Sequence, residues 1–80
     1  MKETIIEGLK GINPAIGESQ ITIELNKYLV QNGYPTLFFT GIFNPNTNAF
    51  EGVLMDSENI TAGPQLHFSW DWDTNEFTEI

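Results

Sequence analysis

The sequence predicts an α+β fold: two N-terminal helices packed on one face of a four-stranded antiparallel sheet made of two β-hairpins, in the order α-α-β-β-β-β. Three observations carry this expectation. Up to Asn32, apolar residues recur at spacings of three and four. Beyond Pro35 the period becomes two. The second stretch also echoes itself. Pro35-Thr36-Leu37-Phe38-Phe39-Thr40 is answered by Pro64-Gln65-Leu66-His67-Phe68-Ser69, and Thr47-Asn48-Ala49-Phe50 by Thr74-Asn75-Glu76-Phe77.

In the first helix Ile5, Ile6, Leu9 and Ile12 form the apolar stripe, with Glu3 and Glu7 early, Lys10 late and Gly11 as the stop. At about nine residues such a helix needs packing to persist. Pro14 then forces Asn13 out of helical space. Ser19 is the expected N-cap of a longer helix running through Asn32, with Ile21, Leu25, Tyr28 and Leu29 as its buried stripe. Asn32-Gly33 supplies its left-handed terminator and Pro35 lies just beyond. A competing reading takes the alternation Ile21-Thr22-Ile23 as a strand.

Each half of the echo reads as a hairpin, with turns at Asn44-Pro45-Asn46-Thr47-Asn48 and Asp71-Trp72-Asp73-Thr74-Asn75. Pairing Phe43 with Phe50 also sets Gly41 against Gly52 and Phe39 against Leu54, and the same offset pairs Trp70 with Phe77. The second copy is two residues shorter between its anchors, and an even difference keeps each side chain on its face. One face then collects Leu37, Phe39, Phe43, Phe50, Leu54, Leu66, Phe68, Trp70 and Phe77, and the helices are expected to cover it. The facing glycines mark a thin spot where a helix could come close. The other face collects Phe38, Thr40, Ile42, Glu51, Val53, Met55, His67, Ser69, Asp71 and Glu76.

Composition narrows the class. The 80 residues hold 3 Lys, no Arg and 11 acids, a formal charge of −8. A nucleic-acid-binding surface has almost no cations to draw on. Without Cys there is no disulfide, thiolate metal site or Cys nucleophile. No apolar run approaches the ~18 residues of a membrane span, and acids interrupt any signal-like start. The expectation is one cytoplasmic domain. Its mass of 9.0 kDa implies roughly 4,900 Å² of accessible surface when folded. The charge is one-sided. Residues 1–27 hold all three Lys against four Glu, a net of −1. Residues 28–80 hold seven acids and no Lys or Arg, a net of −7.

Catalytic and metal motifs are weak. His67, Ser69 and Asp71 share one strand face, but no nucleophile elbow accompanies them. Asp71-x-Asp73-x-Asn75 resembles the opening of a calcium loop, yet Glu76 stands where that loop needs Gly, and no closing Glu follows at the required distance. Asn59-Ile60-Thr61 fits a glycosylation triplet that has no secretory signal to support it. No enzyme, cofactor or metal is expected.

The mixed outer face carries the functional expectation. Apolar residues rimmed by acids suit a surface that binds a basic partner. Glu51, Asp71, Asp73, Glu76 and Glu79 are the expected charged contacts, and Phe38, Ile42 and Met55 the apolar anchors. In size and charge alone the chain resembles small acidic inhibitors: phage-type anti-CRISPR and DNA-mimic proteins, and immunity proteins that block nucleases. That likeness implies a nuclease or other nucleic-acid-binding protein as partner, with the chain a monomer or homodimer. The alternative is a structural or assembly protein forming a homo-oligomer through the outer sheet face or an edge strand.

Overall fold

The computed structural model describes residues 1–80. Two helices, α1 (Lys2–Lys10) and α2 (Glu18–Gln31), precede four strands, β1 (Leu37–Phe43), β2 (Phe50–Asp56), β3 (Leu66–Asp71) and β4 (Glu76–Glu79). Single turns of 3-10 helix occupy Pro14–Ile16 and Ile60–Ala62. The strands form one antiparallel sheet in the order β1-β2-β3-β4. Its register is the one the sequence implies: Phe43 opposite Phe50, Gly41 opposite Gly52, Phe39 opposite Leu54, and Trp70 opposite Phe77. The accessible surface of 4794 Å² agrees with the expectation from mass.

The core lies between the helices and one sheet face. Ile5 and Leu9 of α1, with Ile21, Leu25 and Leu29 of α2, close over Phe39, Phe50, Leu54, Phe68 and Trp70. Ile21-Thr22-Ile23 is helical, because the buried i, i+4 and i+8 positions of α2 decide against the alternation. The helices cross closely at Gly8, where an added Cβ would lie 2.8 Å from the Tyr28 ring and 2.9 Å from Leu25.

Helix boundaries follow local chemistry, with one departure from expectation. Asn13 Oδ1 accepts the Ala15 N–H at 3.0 Å and caps the first 3-10 turn, so the chain is still turning at residues 14–16. Helix α2 therefore starts two residues earlier than a Ser19 cap would allow. Its N-cap is Gly17, whose φ of 93° suits glycine and swings the chain from that turn into the helix. The end of α2 is as expected. Gly33 has φ 92°, its N–H meets the Val30 carbonyl at 3.3 Å, and the Tyr34 N–H meets the Leu29 carbonyl at 2.9 Å.

The second departure is the facing glycine pair. The space above Gly52 is taken by the Phe39 ring, 2.0 Å from where a Cβ would stand, and the Phe39 and Phe50 rings crowd Gly41 at 2.7 Å. The thin spot thus admits the Phe39 and Phe50 rings; it is not a helix approach.

Candidate partner-binding surface

Alternation along the strands fixes the face opposite the helices. Across the sheet, Ile42, Glu51, Ser69 and Thr78 form one row. Thr40, Val53 and His67 form the next, Phe38 and Met55 a third, and Asp71 and Glu76 pair at the turn end. No helix packs on this side. Ile42 is 62% exposed, while Phe38, Val53 and Met55 are half-buried among their neighbours. Thr40, Gly41, Ile42, Glu51, Val53 and His67 line a shallow open depression of about 270 Å³.

Two of the acids on this face are held in place. Glu51 Oε1 accepts the Asn44 side-chain amide at 2.9 Å, which fixes the carboxylate at the rim of the depression. Asp71 Oδ1 accepts the Asp73 N–H at 2.8 Å, an Asx turn that opens the β3–β4 connection, and Asn75 at φ 54° completes it. The Asp71-x-Asp73-x-Asn75 spacing is accounted for by this turn. No group of three or more His, Asp or Glu side chains converges at metal-binding range. His67, Ser69 and Asp71 stand at alternate positions of β3, at ~6.6 Å intervals along it. No hydrogen bond links them.

The expected site residues do not all gather. Glu51, Asp71, Glu76, Phe38, Ile42 and Met55 lie on the outer face, and Asp73 is exposed in the adjoining turn. Glu79 pairs with Phe68 and so occupies a helix-side position at the sheet edge. The only ion pairs are Met1 amino group to Glu3 at 3.8 Å and Lys27 to Glu24 at 3.5 Å, both in the helical third. None of the seven acids of residues 28–80 is neutralised by the chain itself.

Two features of the structure have no periodic signal in the sequence. The first is the outer edge of β1. Asn26 of α2 bonds both backbone groups of Phe39, accepting its N–H at 2.7 Å and donating to its carbonyl at 3.0 Å, and Glu18 Oε2 accepts the Phe43 N–H at 2.8 Å. Beside these bonds runs a groove of about 450 Å³ lined by Glu18, Ser19, Thr22, Ile23 and Thr40 to Ile42, with Ile23 48% exposed. An Asn in mid-helix, a poor helix former, was the available signal. The second is Trp72, read as a turn residue. It folds back over Phe43, Phe50 and Trp70, and its indole N–H donates to the Leu9 carbonyl at 2.8 Å.

Comparison with family models, with curated proteins and with solved structures finds no significant match to this chain. No helix is long and apolar enough to cross a membrane.

Proposed function

We propose that this chain binds and blocks a basic surface of a larger protein, through carboxylates and apolar side chains on the outer face of its sheet. The carrying observation is a sheet face that no helix covers, on which exposed Ile42 and half-buried Val53, Phe38 and Met55 run away from a turn end carrying Glu51, Asp71 and Glu76, acids that no cation of the chain pairs with. Glu51, Asp71 and Glu76 supply the charge on that face, with Asp73 beside it. Physically, carboxylates on a sheet displace the counterions that phosphates would displace from a cationic groove, and the apolar residues lengthen residence once contact is made. A nuclease or another nucleic-acid-processing enzyme is the partner class with such a groove, so the proposed role is that of an inhibitor or immunity protein.

The test is capture of partners from lysate across a salt gradient from about 50 to about 500 mM, with Glu51→Lys/Glu76→Lys as the comparison chain. Nucleic-acid-binding proteins that elute with rising salt, and earlier from the variant, support the proposal. Partners retained equally by both chains at all salt concentrations overturn it.

A further inference from the structure

We propose that the free edge of β4 accepts an extended basic segment of the partner as a fifth strand. This rests on the basic-partner reading above and adds how that partner docks. The sheet's two edges are treated differently. On β1, Asn26 and Glu18 occupy the outward backbone groups of Phe39 and the outward N–H of Phe43, leaving Gly41 open between them. On β4, the Ile80 N–H donates to the His67 carbonyl at 2.9 Å. Antiparallel alternation then turns Glu76 and Thr78 toward β3, and Phe77 and Glu79 outward. No hydrogen bond reaches those outward groups, and an unpaired strand edge is a template for another strand.

The side chains of β4 select the occupant. Glu76 is on the outer face and Glu79 on the helix side, with Phe77 between them and Lys2 5.3 Å above the Phe77 ring. An added antiparallel strand meets both carboxylates when it carries Lys or Arg at positions i and i+3. Position i+2 faces Phe77, where the Lys2 ammonium disfavours a cation and an aliphatic side chain packs on the ring. A second copy of this chain fits less well, because it would bring two more Glu into a ribbon already holding Glu76, Glu79 and Asp71.

The probe is the peptide acetyl-Thr-Lys-Thr-Val-Lys-Thr-amide, titrated to millimolar concentration against the full chain labelled for NMR. Its scrambled control is acetyl-Thr-Lys-Val-Lys-Thr-Thr-amide. Expected are shifts and slowed exchange at the Phe77 and Glu79 amides, and roughly fivefold weaker binding of the control. Glu79→Gln should weaken binding about threefold. Glu79→Pro should abolish it, because the ring removes an outward donor while leaving the β3–β4 ladder intact. The proposal is overturned by no shift at millimolar peptide, by equal binding to the Pro variant, or by concentration-dependent self-association that protects Phe77 and Glu79 without peptide. Salt-sensitive binding that leaves these amides unprotected removes the added strand and keeps the basic-partner reading. Edge protection indifferent to salt and to Lys spacing removes the basic-partner reading as well.

Discussion

The Asn26 carboxamide meets the Phe39 backbone as a neighbouring strand would, accepting its N–H at 2.7 Å and donating to its carbonyl at 3.0 Å. One helix side chain thereby closes one of the outward positions of an edge strand that would otherwise present a row of unpaired groups. Asn26→Ala leaves both Phe39 groups without a partner in a half-buried setting. The expected cost is about 2 kcal/mol, read from urea denaturation. The variant should also associate at concentrations where the parent sediments as a smaller species. Equal stability and equal sedimentation would show that Asn26 does not guard the edge.

Phe39 also governs the glycine pair beneath it. A Cβ on Gly52 would stand 2.0 Å from the Phe39 ring, and one on Gly41 2.7 Å from the Phe39 and Phe50 ring tips. Gly52→Ala is therefore expected to cost about 3 kcal/mol, and Gly41→Ala less, since ring ends give way more easily. In a Phe39→Leu background the Gly52→Ala penalty should fall below about 1 kcal/mol, because the obstructing ring is gone. An unchanged penalty in that double-mutant cycle would assign it to backbone conformation.

The fold was legible because its signals are periodic. The echo after Pro35 and the Phe43–Phe50 anchor set the register of both hairpins, and that register alone pairs Gly41 with Gly52. What periodicity does not encode is what a side chain does once elements are packed. Asn26, Glu18 and Trp72 each act on a residue at least 13 positions away in sequence. Glu79 and Glu76 share a charge but not a face, because the three-residue offset sends them to opposite sides of the sheet. The outer-face residues were legible as a set, since register alone assigns them.

Trp72 ties the last hairpin to the first helix. Its indole N–H reaches the Leu9 carbonyl at 2.8 Å, near the end of α1, while its ring lies against Phe43 and Phe50. Trp72→Phe keeps much of the apolar contact and loses the donor, so a cost of about 1 kcal/mol is expected. Amides of α1 should exchange faster in this variant, while those of β1 and β2 keep their ranking. Uniform acceleration across the chain would mean that the bond contributes to global stability without anchoring α1 in particular.

Asp71 and Glu76 face each other across β3 and β4, two like charges in a directly opposed pair. Such a pair is unfavourable, and no Lys or Arg occurs between residues 28 and 80 to relieve it. Glu76→Lys converts repulsion into attraction and should stabilise the fold by roughly 0.5–1 kcal/mol at low salt. Because both groups reach solvent, that gain should shrink toward zero near 1 M salt, where the screening length falls to about 3 Å. Thermal denaturation at the two salt concentrations measures this, with Asp71→Asn/Glu76→Lys separating the pairwise effect from the general loss of negative charge. The same substitution is expected to weaken capture of a basic partner. A variant that is more stable yet binds less well is the combination expected if the acid is retained for recognition, whereas loss of stability in Glu76→Lys would show that the carboxylate supports the hairpin itself.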